Sequence, residues 1–298
     1  MTDAASARLP GLALALGGAI AFSGKAIVVK LSYRYGVDAV TLIMYRMLFA
    51  LPLFAGMAWW AGRGKPPLTR RDWGAVIALG FCGYYLSSFL DFVGLQYITA
   101  SLERLILYLN PTMVLLFGWL LYGRRWTARQ VVGMGISYCG VALVFGQELR
   151  IEGGNVALGA ALVFASTVSY ALYMVYSGQV VQRLGSLRLV GLATSVACVC
   201  CIAQFLLLRP VEAALAVAPE VVWLSIANAS LGTAVPVLLV MMAIERIGAA
   251  ATAQAGMVGP ISTILLGIWL LGEPFTAWLA AGTLLVLAGI YVFTRPPR

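Results

Sequence analysis

Polar side chains recur at helical spacing inside otherwise apolar stretches of this sequence. Two stripes are spaced so that each occupies one helix face: Tyr84, Ser88 and Asp91, and Ser166, Tyr170, Tyr173 and Ser177. An unpaired hydroxyl in apolar surroundings costs roughly 2–7 kcal/mol, so we expect both faces to point into the protein. The serines could simply join helices. Tyrosine rings with hydroxyl donors suit amphipathic organic solutes, and we therefore expect the tyrosines to line a cavity for such a solute.

Two prolines interrupt long apolar runs near their middle. Pro111 follows Tyr108 and Asn110, and Pro260 follows Gln254, which adds three polar candidates to the same cavity. Proline cannot donate a backbone hydrogen bond, so the carbonyl four residues earlier loses its helical partner. The sequence predicts that the two prolines act as hinges beside the cavity. A packing kink without a role in movement is the alternative.

Five charged residues lie within the apolar runs: Lys25, Arg46, Asp91, Glu103 and Arg104. Isolated charges are costly in such surroundings, so we expect them to form a network of ion pairs. The network could lock this part of the fold, shape an exit path, place a cation against a solute carboxylate, or relay protons. The chain has no histidine and no symmetric pair of acids near its prolines. We expect neither a metal site nor a cofactor.

The surrounding sequence predicts that these residues lie in membrane-spanning helices. Only 10% of the 298 residues are charged and 62% are hydrophobic, whereas soluble domains contain about 25% charged residues. This excludes soluble enzymes and nucleic-acid-binding proteins, despite the net charge of +9. A membrane-spanning helix needs about 20 apolar residues. Ten runs of suitable length are 10–31, 38–61, 73–95, 100–122, 129–147, 156–178, 188–208, 221–242, 250–271 and 275–294.

Lysine and arginine are distributed unequally between the two sets of connections. With ten spans, thirteen of these residues lie on the same side as the termini and four lie on the opposite side. Basic residues collect in cytoplasmic loops. We therefore predict an all-α integral membrane protein with cytoplasmic N- and C-termini.

The two halves of the sequence resemble each other at a shift of 149 residues. The matching pairs are Pro111 and Pro260, Gly118 and Gly267, Gly123 and Gly272, Thr127 and Thr276, Gly133 and Gly282, and Gly140 and Gly289. Five spans per half is an odd number, so the halves would cross the membrane in opposite senses. We divide the chain into residues 1–149 and 150–298, two inverted five-helix repeats that form one transport domain. Such repeats are associated with alternating-access transporters.

The sequence resembles the EamA-type branch of the drug/metabolite transporter superfamily over nearly its whole length. The resemblance is carried by ordered motifs: Tyr45-Arg46-Met47-Leu48-Phe49-Ala50, Leu95-x-x-Ile98-x-Ala100-Ser101, Leu109-Asn110-Pro111, Gly118-x-x-Leu121-x-Gly123, Ile247-x-Ala249-Ala250, Gly259-Pro260 and Gly267-x-x-Leu270-x-Gly272-Glu273-Pro274. Two positions depart from the family pattern. Arg124 stands where an acid often follows the glycine, and Phe22-Ser23-Gly24 lacks the tryptophan often found in the first span.

The resemblance is closest to bacterial exporters of amino acids, including aromatic ones. It implies a ten-helix monomer in the bacterial inner membrane, with a central cavity through which small metabolites leave the cytoplasm. On the same fold, cationic drugs or other metabolites remain an alternative substrate class. A channel and a membrane-embedded enzyme are also possible, but an enzyme would need a nucleophile with a base or a metal, and neither is assembled here.

Overall fold

The structure, a computed structural model, describes the backbone of residues 2–123, 126–152, 155–256 and 258–294. A smaller set of side chains within these ranges falls outside the description: those of residues 2–8, 152, 241, 244–245, 248–251, 253–254 and 293–294. Every regular element among the described residues is helical, which confirms the all-α class.

The described residues form α-helices that alternate with short connections and three π-helical turns. The α-helices are α1 (Thr2–Tyr33), α2 (Ala39–Gly62), α3 (Arg70–Gly80), α4 (Ser87–Gly94), α5 (Ala100–Leu107), α6 (Asn110–Tyr122), α7 (Ala128–Glu152), α8 (Asn155–Leu184), α9 (Ser186–Leu208), α10 (Val211–Leu215), α11 (Pro219–Ala229), α12 (Val235–Gly256), α13 (Val258–Leu266) and α14 (Ala277–Thr294). The π-helical turns are Phe81–Leu86, Ser230–Ala234 and Gly267–Leu271.

Eight helical segments of the described chain are long and apolar enough to cross a membrane. They overlap the first eight predicted spans, from Leu9–Tyr33 to Pro219–Val240. Two shorter apolar helices, Val258–Leu271 and Ala277–Val292, overlap the last two. The protein is therefore built as a bundle of apolar helices long enough for several membrane crossings.

One predicted boundary is wrong. The break expected between residues 242 and 250 is absent, because α12 continues to Gly256 and the next described helix begins at Val258. Residues 249–255 are mostly alanine, the residue with the highest helix propensity. This run accounts for the continuation of the helix past Gly248, since a single glycine costs a helix only about 1 kcal/mol.

Side-chain caps and left-handed glycines set several helix ends. The Asp38 carboxylate accepts hydrogen bonds from the first turn of α2, and Thr69 forms a reciprocal capping box at α3. Thr99 caps α5 through the Leu102 amide. Gly123 and Gly272 end their helices with φ of +64° and +73°, a conformation that glycine adopts without steric cost.

The two halves share backbone irregularities at the same shift as their sequences. The π-helical turns that begin at Phe81 and Ser230 are 149 residues apart, and each lies inside a long helix. A helix break between α5 and α6 also lies just before Pro111. A π-helical turn carries an extra residue per turn and is frequent at functional sites. We therefore expect a functional site on the helix faces around these turns.

Helices of the two halves pack in pairs. α2 packs along α9, and α7 packs along α14. α1 contacts α12 and the Ser230–Ala234 turn, just as α8 contacts α4 and the Phe81–Leu86 turn. Exchange of the two halves therefore keeps the α2–α9 and α7–α14 pairs and interchanges these contacts of α1 with those of α8. The helices α7 and α14 approach closely, because a Cβ on Gly140 would lie 2.6 Å from the Gly282 carbonyl oxygen.

One end of the bundle gathers residues 63–72 and 183–188. The Arg183 guanidinium pairs with the Asp72 carboxylate. The buried Arg188 donates two hydrogen bonds of 3.2 Å to the Pro66 carbonyl oxygen. We call this the Arg188 end.

The other end gathers the connections around Asp38, residues 95–101 and Glu273. Arg209 pairs with Asp38 at 3.3 Å. Burial opposes ionisation of Asp38, but hydrogen bonds from Thr41 and Arg209 outweigh it and lower the pKa of Asp38. The Glu273 carboxylate accepts a hydrogen bond of 2.7 Å from the Ala100 amide at the start of α5. We call this the Glu273 end.

Candidate functional site

A cavity of about 410 Å³ lies among α1, α2, the Phe81–Leu86 turn, α4, α5, α6, α8 and the Ser230–Ala234 turn. We call it the central cavity. Many of the residues singled out in the sequence lie on its wall: Lys25, Arg46, Tyr84, Ser88, Asp91, Arg104, Tyr108, Asn110, Pro111, Ser166 and Tyr170. Glu103, Tyr173 and Pro260 are not on this wall, and the side chain of Gln254 lies outside the described part of the chain.

Three tyrosines form a cluster at one side of the central cavity. The Tyr84 and Tyr173 hydroxyls share a hydrogen bond of 3.1 Å, and the Tyr170 and Tyr173 rings stack with centroids 5.5 Å apart. The Tyr173 ring packs on Gly83, where an added Cβ would lie 2.3 Å from Tyr173 Cγ. Gly83 belongs to the Phe81–Leu86 π-helical turn. Tyr173 therefore lies behind Tyr84 and supports it, while Tyr84 and Tyr170 reach the cavity.

The predicted serine and asparagine side chains take two different roles. Ser166 donates a hydrogen bond of 2.7 Å to the Ser87 carbonyl oxygen, which joins α8 to α4. Asn110 donates one of 3.3 Å to the Thr167 carbonyl oxygen. Both side chains thus tie helices together at the cavity wall. Ser88 is half-buried on the same wall.

A hydrogen bond connects the two proline-interrupted segments. Pro260 removes the usual helical donor to the Gly256 carbonyl oxygen. The Tyr108 hydroxyl donates to that oxygen at 2.6 Å. Tyr108 itself lies in the break between α5 and α6 that precedes Pro111. A side chain beside Pro111 therefore satisfies the carbonyl oxygen that Pro260 leaves without its helical donor.

Lys25, Asp91 and Glu103 form a buried charge cluster. The Lys25 ammonium lies 2.5 Å from Asp91 Oδ2 and 3.5 Å from Glu103 Oε1. Asp91 is 2% exposed and Glu103 is fully buried. One lysine thus contacts two carboxylates that belong to different helices, and the cluster fastens α1 to α4 and α5.

Arg46 is buried and Arg104 is half-buried, and neither forms an ion pair within that cluster. Arg104 donates to the Phe22 carbonyl oxygen at 2.9 Å and to Thr263 Oγ1 at 3.0 Å. Arg46 donates from Nε to Thr233 Oγ1 at 3.3 Å. These three described partners are neutral, and all of them lie outside the helices that carry the arginines. In place of the single network that the sequence predicts, the described residues form a lysine-centred cluster and two separate guanidinium groups.

Thr233 and Thr263 are the second-half partners of these arginines. No motif or spacing in the sequence singled out Thr263. Both are buried hydroxyls. Thr263 lies four residues after Gly259 and donates to the Gly259 carbonyl oxygen at 3.1 Å. Such local bonding is common for threonine in helices, which is why nothing in the sequence distinguished this residue from an ordinary helical threonine. Arg124, the departure from the family pattern, lies outside the described residues.

Two further cavities open near the ends of the bundle. One of about 640 Å³ at the Arg188 end is lined by Arg71, Arg183, Tyr176 and the far side of Tyr173. One of about 700 Å³ at the Glu273 end is lined by residues that include Lys30, Arg34 and Glu273. The central cavity is smaller than both and falls within the size range of small-molecule sites.

Comparison with known proteins places the fold and the family. The model of the "EamA-like transporter family" matches residues 9–146 and again residues 157–295. A solved crystal structure aligns with a TM-score of 0.62 at 20% identity, covering 97% of this chain and 96% of that one. At this identity the likeness shows the fold alone.

Two curated relatives are transporters whose substrates are not stated. The uncharacterized transporter YcbK of Bacillus subtilis is 30% identical over 275 residues, which cover 88% of this chain and 86% of the relative. An uncharacterized transporter of Archaeoglobus fulgidus is 23% identical over 274 residues, which cover 92% and 93% of the two chains. Together with the family match in both halves and the apolar helices, these relatives show that the chain belongs to the EamA-like transporter family of multi-pass membrane proteins.

Proposed function

We propose that this membrane transporter exports small organic metabolites, and specifically amino acids including aromatic ones, through the central cavity. The single observation that carries the proposal is the wall of that cavity. It combines the Tyr84 and Tyr170 rings with apolar side chains and with the guanidinium groups of Arg46 and Arg104. An aromatic amino acid would pack its ring against the tyrosines and place its charged groups beside the charged side chains of the wall.

The proposal includes ten membrane spans arranged as two inverted repeats. Support comes from the family model, which matches once in each half, and from the π-helical turns at a shift of 149 residues. The helix pairings that survive exchange of the halves agree with it. The two shorter helices after Met257 supply the ninth and tenth spans.

We place both termini in the cytoplasm of a bacterial cell and the transporter in the inner membrane. The Arg188 end gathers the arginine-rich connections, so the positive-inside rule assigns it to the cytoplasm. The Glu273 end then faces outwards. The chain acts as a monomer in this scheme, with a small solute and the lipid bilayer as its partners and with no nucleic acid or cofactor.

Alternating access follows from the two proline-interrupted segments. The segments around Pro111 and Pro260 meet through the Tyr108 hydroxyl and the Gly256 carbonyl oxygen, at the border of the central cavity. Rocking of the helix groups about the two prolines would open the cavity to one side and then to the other. The hinge role of the prolines is thus part of the proposed mechanism.

Counterflow in proteoliposomes tests the proposal. Purified protein is reconstituted into vesicles loaded with one unlabelled amino acid at a time, and uptake of labelled phenylalanine is followed without an ion gradient. We expect phenylalanine-loaded vesicles to accumulate label above empty vesicles. The Tyr84→Ala and Tyr170→Ala variants should raise the half-saturating concentration. The Tyr35→Ala variant, which removes an exposed tyrosine away from the cavity, should not.

The other outcomes separate the alternatives. Counterflow of a labelled lipophilic cation, without counterflow of any amino acid, would replace the proposed substrate class by cationic drugs. Uptake that never exceeds equilibration and does not depend on the internal solute would indicate a channel. Normal affinity in both tyrosine variants would move the substrate path away from the central cavity.

A further inference from the structure

Arg46 carries an unsatisfied buried charge at the wall of the central cavity. Its side chain is 6% exposed. Nε donates to Thr233 Oγ1, and the guanidinium carbon lies 5.1 Å from the centre of the Phe92 ring. Nη1 is buried and has no hydrogen-bond partner among the described residues. Buried polar groups are almost always hydrogen-bonded, so an unpartnered guanidinium nitrogen beside a cavity calls for a partner that enters that cavity.

The described acids do not supply that partner. Asp91 pairs with Lys25 at 2.5 Å, and Glu103 lies 3.5 Å from the same ammonium. No described carboxylate lies within 4.0 Å of the Arg46 guanidinium. The hydrogen bonds that Arg104, the second arginine on the wall, donates to described residues go to neutral oxygens. With Lys25, Arg46 and Arg104 set against Asp91 and Glu103, these described side chains carry one surplus positive charge at the cavity.

The backbone fixes the direction in which Arg46 points. Thr233, which accepts from Nε, belongs to the Ser230–Ala234 π-helical turn, and its hydroxyl in turn donates to the Asn228 carbonyl oxygen at 2.8 Å. With Nε held by Thr233 and one face of the group against Phe92, the terminal nitrogens remain for a ligand. A planar guanidinium edge matches a carboxylate with two parallel hydrogen bonds.

We infer that Arg46 is the carboxylate-binding residue of the central cavity, and that the transported solute is a carboxylate with an apolar or aromatic body. This inference rests on the proposed use of the central cavity and narrows its substrate class. Arg104 adds positive charge on the same wall. Thr233 is a positioning residue, since it holds Arg46 and need not touch the solute.

Matched ligands that differ by one group test the inference directly. Thermal unfolding of the purified protein in detergent is measured with phenylalanine, with 3-phenylpropanoate, which lacks the ammonium, and with phenethylamine, which lacks the carboxylate. The two carboxylates should raise the unfolding temperature and the amine should not. In the Arg46→Gln variant, the concentration that gives half of the shift should rise about tenfold or more, as expected for loss of a charge-assisted pair.

Two variants control for loss of folding. Arg46→Lys keeps the charge without the planar fork and should lose part of the affinity. Arg188→Gln removes a buried arginine at the other end of the bundle. It should change the unfolding temperature of the ligand-free protein but keep the preference for carboxylates.

The outcomes distinguish this inference from the proposed function. A preference for 3-phenylpropanoate that depends on Arg46, without any amino-acid counterflow, would support the carboxylate site and overturn amino-acid export. Amino-acid counterflow with equal stabilisation by phenethylamine, or with unchanged affinity in Arg46→Gln, would overturn the carboxylate site alone. Absence of stabilisation by either carboxylate in the wild-type protein would also overturn it.

Discussion

The π-helical turns Phe81–Leu86 and Ser230–Ala234 occupy equivalent places in the two halves, yet they bring different chemistry to the central cavity. The first presents Tyr84 and adjoins the helix that carries Asp91. The second presents the small hydroxyl of Thr233, which accepts from Arg46. The same backbone irregularity thus carries a large aromatic side chain in one half and a positioning group in the other.

The same division holds around the rest of the cavity. Lys25, Arg46, Asp91 and Arg104 all come from the first half. The second half contributes neutral acceptor oxygens, among them Thr263 Oγ1, which accepts from Arg104, and the Gly256 carbonyl oxygen, which accepts from Tyr108. The repeat thus preserves backbone geometry, while the charged side chains named on the cavity wall come from one copy and its tyrosine rings come from both, with Tyr170 in the second half. Loss of a first-half charge should therefore be more damaging than loss of a second-half hydroxyl.

The largest effect is expected for Lys25→Met. This change leaves Asp91 and Glu103 buried without their shared cation, and breaking a buried ion pair in this way costs about 3–5 kcal/mol. Thermal unfolding in detergent should show a large fall in stability, together with loss of counterflow. The double variant Lys25→Met with Asp91→Asn should recover part of the stability. Wild-type stability in the single variant would show that the cluster is not ionised as a lysine-centred group.

Pro111→Ala and Pro260→Ala compare the contributions of the two prolines to transport. Alanine restores a backbone donor and favours a continuous helix, so both variants should insert and fold but transport more slowly. Counterflow rates measured at equal amounts of reconstituted protein check this. Unchanged rates in either variant would remove that proline from the hinge mechanism.

Tyr108→Phe tests the hydrogen bond between the Tyr108 hydroxyl and the Gly256 carbonyl oxygen, which joins the segments around the two prolines. The change leaves the Gly256 carbonyl oxygen without the hydroxyl that satisfies it, which costs about 1–3 kcal/mol when the acceptor stays buried. Stability should fall by this amount and transport should slow. The comparison variant Tyr84→Phe removes a hydroxyl that shares its bond with Tyr173, and its effect on stability should be smaller. Equal losses of stability in the two variants would show that the Tyr108 hydrogen bond contributes no more than the Tyr84 hydrogen bond.

The smallest effect is expected for Glu273→Gln at the Glu273 end. The carboxylate accepts from the Ala100 amide and from Ser101 Oγ at the start of α5, and loss of a helix cap costs about 0.5–2 kcal/mol. Glutamine keeps an acceptor oxygen, so the unfolding temperature should fall only slightly. A loss as large as that of Lys25→Met would show that the second half also contributes an essential charge.

The sequence predicted the helical fold, and several residues that it singled out lie on the wall of the central cavity, because both depend on local patterns. Apolar run length identifies the spans, and helical spacing puts Tyr84 beside Ser88 and Asp91. The predicted break between residues 242 and 250 is wrong because the helix propensity of the alanine-rich run outweighs the cost of one glycine. Partners from the other half could not be predicted. Thr263 meets Arg104 only through packing of α13 against α5, and the paired π-helical turns have no sequence signal of their own.

Anomalous diffraction from crystals grown with 4-iodophenylalanine would test the central claim most directly. The account predicts an iodine peak in the central cavity beside Tyr84 and Tyr170, with the carboxylate of the bound molecule at Arg46. A peak confined to the cavity lined by Arg71 and Arg183, or to the one lined by Lys30 and Glu273, would contradict the assignment of recognition to the central cavity.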